Sequence, residues 1–193
     1  MARTKDFNED EVLDKALAIF WQKGYNGTSM QELVDGLGIS RSSMYDTYTD
    51  KYTLFTKSLE RYREKTAAEM MHLISEGSSA KAGIKKMLQS VVNESVCDKS
   101  PRGCFIVNTC VESAPHDKAI AKILQQNMQD AEEVFYLAIK KGQESGEIPG
   151  RNDAMALARF IINTINGIRV TAKAGTDKKV YDDVVKVALE ALE

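Results

Sequence analysis

The sequence is poor in proline, cysteine and histidine, and each scarcity removes a class of explanation. Only three prolines occur, Pro101, Pro115 and Pro149, each beside polar or glycine-containing punctuation. The long stretches between them lack helix breakers and carry apolar residues at helical spacing rather than in strict alternation. Cys97, Cys104 and Cys110 are too few, and odd in number, for an extracellular disulfide framework, so a reducing compartment is expected. A Cys104 to Cys110 bridge within one helix is excluded, because six residues at about 1.5 Å rise exceed the roughly 7 Å reach of a disulfide. His72 and His116 have no cysteine or carboxylate at a recognisable ligand spacing, so neither a metal site nor a cofactor is expected. No segment approaches the roughly 18 apolar residues of a membrane span, and the first twelve residues lack the apolar stretch of a signal peptide. The expected location is the cytoplasm, with no membrane partner.

Positive charge is also short. Lys and Arg number 26 against 28 Asp and Glu, a net charge of -2, so no global basicity advertises a polyanionic partner. Any nucleic-acid function must then rest on a local surface.

What is present describes an all-α protein. At 193 residues, 43% hydrophobic and 28% charged, the chain can bury a sizeable core without staples. Asn8 caps a first helix with Glu11 as its capping-box partner; Val12, Leu13, Ala16, Leu17 and Phe20 form its apolar stripe, and Lys23 and Gly24 close it. A second start is predicted at Thr28 with Gln31 as partner, and Leu33, Val34 and Leu37 supply the buried face of a very short helix. Gly38 ends it and Ser40 opens a third helix, a helix-turn-helix spacing. Asp50 caps a longer helix running toward Ile74, and Glu76-Gly77-Ser78-Ser79 breaks it. Further helices are expected at about 80–96, 101–113, 117–145, 151–174 and 177–192. The unit boundary is placed inside the fourth helix, dividing the chain into 1–52 and 53–193.

In the stretch ISRSSMYDTYTDK, helical phase separates two kinds of residue. Ile39, Met44 and Tyr48 hold the short helices together, while Arg41, Ser42 and Tyr45 share the outward face. Such a helix fits a major groove about 12 Å wide. Arg41 can offer a bidentate fork to guanine, and Ser42 and Ser43 can donate or accept at close range. Tyr45 and Thr47 suit phosphate oxygens, Lys51 adds a charge near the same backbone, and Thr28 is expected to do likewise across the groove. The cost is that residues 1–52 hold six Lys or Arg against nine Asp or Glu. The acids cluster at the start of the first helix, away from Arg41 and Lys51.

Residues Gly24 to Lys51, GYNGTSMQELVDGLGISRSSMYDTYTDK, resemble the DNA-binding head of the TetR family of transcriptional regulators. The resemblance covers about residues 8–60. It implies that Thr28, Tyr45, Thr47 and Lys51 contact phosphates, that Arg41, Ser42 and Ser43 face bases, and that Tyr48 packs into the head. It implies further a homodimeric repressor on a palindromic double-stranded operator, its dimer built from the last two helices, and release by a small-molecule or reactive-species inducer. Val34, Thr47 and Ser42 depart from the residues frequent at these positions, so the identity of the DNA site is not readable.

The middle helices would form the sensor. In SPRGCFIVNTCVES, Ser100 reads as a cap and Pro101 as a first helical residue, placing Cys104 in a first turn near Arg102. That setting favours thiolate and makes Cys104 a candidate sensing residue; a small buried hydrophobe is the plainer reading. Phe105, Asn108, Glu112, Met128, Tyr136 and Asn163 are candidates to line a pocket with it. A helical enzyme with an incidental head would need a nucleophile and base, a phosphate loop or a metal cluster, and none has the right spacing. A helical adaptor with a degenerate head would be expected to lose the polar face that Arg41, Tyr45 and Lys51 retain.

Overall fold

A computed structural model describes residues 7–97, 102–175 and 177–193. Among these the elements are α1 (Glu9–Lys23), α2 (Met30–Leu37), α3 (Arg41–Tyr48), α4 (Lys51–Ser75), α5 (Ala80–Cys97), α6 (Phe105–Glu112), α7 (Lys118–Glu144), α8 (Ala154–Ala172) and α9 (Lys178–Glu190). No helix among the described residues is long and apolar enough to cross a membrane.

Capping chemistry sets most boundaries. The Asn8 side chain accepts the amides of Asp10 and Glu11, and Asp50, Asp117, Asp153 and Asp177 each accept an amide from the first turn that follows. Two starts differ from expectation. α2 is capped by Ser29, whose hydroxyl accepts from the Glu32 amide while the Glu32 carboxylate accepts from the Ser29 amide. The ionised carboxylate of Glu32 closes the box one residue later than Thr28 and Gln31 would. α6 starts at Phe105 with Cys104 as its N-cap, not inside its first turn, because Gly103 at φ 67 interrupts any helix entering from upstream. Ser100 and Pro101 lie outside the described residues.

Two apolar clusters hold the chain. The first joins Ala16, Leu17 and Phe20 of α1, Leu33 and Leu37 of α2, Met44 and Tyr48 of α3, and Leu54, Phe55, Leu59 and Tyr62 of α4. It also takes in Cys104, Phe105, Ile120 and Leu124, so the head shares its core with α6 and α7. Phe55 sits at the seam, with ring centroids 5.1 Å from Phe20, 4.9 Å from Tyr25 and 5.8 Å from Phe105. The second cluster is built from α5, α7, α8 and α9 around Ile84, Leu88, Phe135, Ile139, Ile161 and Ile165.

Polar ties fix the head to α4. Arg61 grips Asp14 with two parallel bonds of 2.7 and 2.9 Å and reaches Asp10 at 2.7 Å. The Arg61 fork holds the Asp14 carboxyl well below the usual carboxylate range, while partial burial opposes it. Helix α1 therefore moves with the N-terminal half of α4.

Candidate nucleic-acid interface and internal cavity

α3 is short enough that one face is used completely for packing. Met44 and Tyr48 are fully buried, whereas Arg41, Ser42 and Tyr45 are exposed and Ser43 and Thr47 are half-buried. The Arg41 guanidinium lies 5.9 Å from the Tyr45 ring centroid, so the two side chains present one continuous patch. At the helix start the Ser40 hydroxyl caps the Ser43 amide at 3.0 Å and lies 2.9 and 2.8 Å from the hydroxyls of Ser42 and Ser43. At its end Thr49 takes φ 63 and ψ -50, and the Asp50 amide bonds the Tyr48 carbonyl across it at 2.6 Å. That is a γ-turn, a strained conformation for a β-branched residue. It fixes the angle between α3 and α4, whose first turn Asp50 caps at the Thr53 amide.

Thr28 and Lys51 behave differently from the other candidates. Thr28 is 2% exposed and its hydroxyl donates to the Gly24 carbonyl at 2.7 Å, so it closes the α1–α2 turn from inside and is not a surface cap. The exposed hydroxyl at that helix start is Ser29, which sequence reasoning passed over although its partner Glu32 was the available signal. Lys51 donates to the carbonyls of Tyr25 and Thr28, both at 2.8 Å, and lies 4.2 Å from the Tyr25 ring centroid. Two of its three donors thus bind the α1–α2 turn to the start of α4.

The sensor side of that turn is held by Glu112. Its carboxylate accepts the amides of Asn26 at 2.9 Å and Tyr25 at 3.3 Å. Gly24, at φ 75, is required here twice over: a Cβ would come within 2.7 Å of the Glu112 carboxylate. Glu112 is therefore a strut between α6 and the head rather than a pocket anchor. Trp21 adds a second tie, donating its indole N–H to the Gly103 carbonyl at 2.9 Å.

Between α1, α4, α5, α6, α7 and α8 lies a cavity of about 500 Å³. Of the predicted pocket residues it is lined by Cys104 and Met128. Phe105, Asn108 and Glu112 line a separate cleft between α6 and the head. There Asn108 donates to the Arg102 carbonyl at 2.7 Å and accepts from Lys173 at 3.1 Å. Tyr136 packs against the second core, and Asn163, on the outward phase of α8, donates to the Arg159 carbonyl at 2.8 Å. The cavity's apolar wall includes Leu17, Met70, Leu73, Phe135, Ile162 and Ile165, and its polar groups include Tyr62, Asn127, Asn166 and Arg169, none of which sequence reasoning singled out. Cys104 is buried, and Tyr62 donates to its sulfur at 3.6 Å and Arg169 at 3.7 Å. Burial, and then the neighbouring sulfur, push the Tyr62 phenol up from its ordinary value. Among the described residues no cluster of His, Cys, Asp or Glu could hold a metal ion.

A short two-helix reading head, tied rigidly to a helical body that encloses a cavity, defines the architecture of a helix-turn-helix regulator. The family description "Bacterial regulatory proteins, tetR family" matches residues 12–57, and "Tetracyclin repressor-like, C-terminal domain" matches residues 80–188. The uncharacterized HTH-type transcriptional regulator YezE of Bacillus subtilis (strain 168) is 33% identical, over 100% of both chains. The HTH-type transcriptional repressor ComR of Escherichia coli (strain K12) is 31% identical over 95% of this chain and 93% of its own. Among solved structures, a cysteine mutant of the TetR family regulator CifR complexed with 26-bp double-strand operator DNA matches with TM-score 0.87. It is 26% identical and the match covers 99% of this chain and 100% of that one. Reduced NemR of E. coli, at 15% identity, shares the fold with TM-score 0.88 over 95% of this chain and 96% of its own. The chain belongs to the TetR family and is a helix-turn-helix transcriptional regulator.

Proposed function

We propose that two copies of this chain bind a palindromic DNA operator through α3 and repress transcription until a small molecule enters the cavity. The observation that carries the reading is the outward face of α3. Arg41, Ser42 and Tyr45 are exposed, with Asp46 beside them, on a helix whose Met44 and Tyr48 are committed to packing. Arg41 and Ser42 would meet base edges, with Ser43 exchanging its bond to Ser40 for one to DNA. Tyr45 and Thr47 would meet phosphates and set the register. Lys51 would contribute its charge and its remaining N–H, and Thr28 would act indirectly, by shaping the turn that positions α2. The working division is a head of residues 1–52 and a sensor and dimer unit of residues 53–193, with α4 serving both.

A single head covers one half-site, and two must stand about 34–36 Å apart. Support for the dimer comes from α8 and α9, which leave Phe160, Val180, Val184 and Val187 exposed. The three valines recur at i, i+4 and i+7, one stripe of a helix whose opposite face is buried. A second copy presenting the same stripe would cover it by an isologous contact.

Cavity occupancy would reach DNA through α6. Cys104 stands at its N-terminus in the cavity wall and Glu112 at its C-terminus holds the head, eight residues away. A shift of α6 pulls on the α1–α2 turn directly and on α4 through Tyr62, changing the separation of the two α3 helices. An alternative in which Cys104 responds covalently to a reactive species is tested by Cys104→Ser. The main reading is tested by a gel shift on the DNA upstream of the gene itself. Retardation that fades steeply with salt is expected; no retardation at low salt overturns it.

A further inference from the structure

Among the described residues the cavity holds a largely buried cation with no carboxylate at ion-pair distance. Arg169, on α8, is largely buried and lines the cavity. An arginine keeps its charge at any physiological pH, and a buried charge is costly unless it is paired. Among the described residues no carboxylate lies at ion-pair distance from it; its hydrogen bond goes to the Cys104 sulfur at 3.7 Å, a weak acceptor. Glu94 lines the same cavity and acts on Arg169 from beyond ion-pair distance, and its oxygen accepts from the Ser90 hydroxyl at 3.0 Å. Four of the five guanidinium donors are left for something else.

Three other groups point the same way. Tyr62, buried across the cavity, donates to the same sulfur at 3.6 Å, so two donors converge on one point. That point is the start of α6, whose first turn has no side-chain cap and offers its amides. Asn166 lines the cavity one turn before Arg169. The inner wall is apolar, with Leu73, Met87, Leu124, Phe135, Ile162 and Ile165, while the charged lining residues Lys65, Glu69, Glu94 and Asp130 are exposed or half-buried and stand with Val111 and Met128 toward the open side.

We infer that the cavity binds an amphipathic carboxylic acid, its carboxylate on Arg169 and Tyr62 at the start of α6 and its tail along the apolar wall toward α7. A planar carboxylate matches the guanidinium fork with two parallel bonds and is a far stronger acceptor than sulfur. An uncharged molecule of the same shape would fill the wall and leave Arg169 unpaired. The inference rests on the regulator reading, in which this cavity is the inducer site. It also assigns a direction to the signal: a carboxylate seated there displaces the Cys104 sulfur from its two donors and so bears on the N-terminus of α6.

The test is calorimetric titration of the full chain with octanoate, decanoate and 4-phenylbutyrate, each beside its uncharged primary alcohol. The acids are expected to bind at least tenfold tighter than the alcohols, and Arg169→Met, its fold checked by circular dichroism, to bring that ratio close to one. Tyr62→Phe, which removes a single donor, is expected to weaken the acids about fivefold and leave the alcohols unchanged. Binding by none of the acids, equal binding of acids and alcohols, or undiminished preference in either variant overturns the inference. The two levels separate cleanly. Operator retardation without acid binding refutes the carboxylate site and spares the regulator; selective acid binding without retardation of any upstream DNA does the reverse.

Discussion

Replacing Glu112 by Gln should loosen the α1–α2 turn while leaving every helix in place. The carboxylate accepts two backbone amides, at 2.9 Å from Asn26 and 3.3 Å from Tyr25. A glutamine keeps one oxygen acceptor but must turn its amino group toward the other N–H. One charge-assisted bond, worth about 1.5–3 kcal/mol when buried, becomes a neutral one worth about 0.5–1.5 kcal/mol, and the second is lost. The site is half-buried and water replaces part of the loss, so a net cost of about 1.4 kcal/mol is reasonable, a factor of about ten in local opening. Hydrogen exchange at Tyr25 and Asn26 should accelerate by about that factor, while amides in the middle of α8 keep their wild-type protection. The same variant should show a smaller change in operator affinity when the cavity is filled, since its strut is gone. Exchange within twofold of wild type at both amides would show that Glu112 does not hold the turn, and the route from α6 to the head would fail with it.

Three further outcomes follow from particular residues. Thr49→Gly removes the strain of a β-branched residue at φ 63, and after the entropy cost of glycine should raise stability by about 1 kcal/mol, some 2–4 °C in a thermal melt. Asp14 is held below the usual carboxylate range by Arg61, so the stability it contributes is present above pH ~5 and is lost progressively as the pH falls from that range toward the lower folded value. Asp14→Asn should cost about 1 kcal/mol near neutrality, allowing for its partial exposure, and flatten the acid side of a stability profile measured by urea titration. Val184→Asp places a charge in the exposed stripe of α9 and should convert the dimer to monomer in analytical ultracentrifugation, with helical content unchanged; a sedimentation coefficient equal to wild type would count against that face.

Legibility in the sequence followed the range of the interactions. Helices announced by a cap and a stripe, such as α1 from Asn8 and α4 from Asp50, are written in residues three or four apart. The start of α2 was one residue off because Thr28 and Ser29 are both competent caps, and the decision lay with Glu32 and with the burial of Thr28. The α3 surface was readable for the same local reason: with Met44 and Tyr48 inward, phase alone places Arg41 and Tyr45 outward. The cavity was not, because it depends on which faces of six helices converge. Arg169 sat in a segment read for its apolar residues, and Tyr62 in a helix read as a connector, yet both meet Cys104. Glu112 was read as a pocket residue, but its partners are 86 and 87 residues away and no local pattern names them.

The central claim, that the outward face of α3 binds DNA, is tested most directly by fluorescence anisotropy with labelled upstream DNA, comparing wild type with Arg41→Ala at several salt concentrations. Arg41 is exposed, with its guanidinium near the exposed Tyr45 ring, so its removal should leave the fold and the dimer unchanged. The account predicts wild-type affinity falling linearly in log–log form with salt, and a loss in Arg41→Ala of about 1–3 kcal/mol, concentrated on the specific sequence. Equal affinity of the two proteins for that sequence, or wild-type binding indifferent to salt, would contradict it.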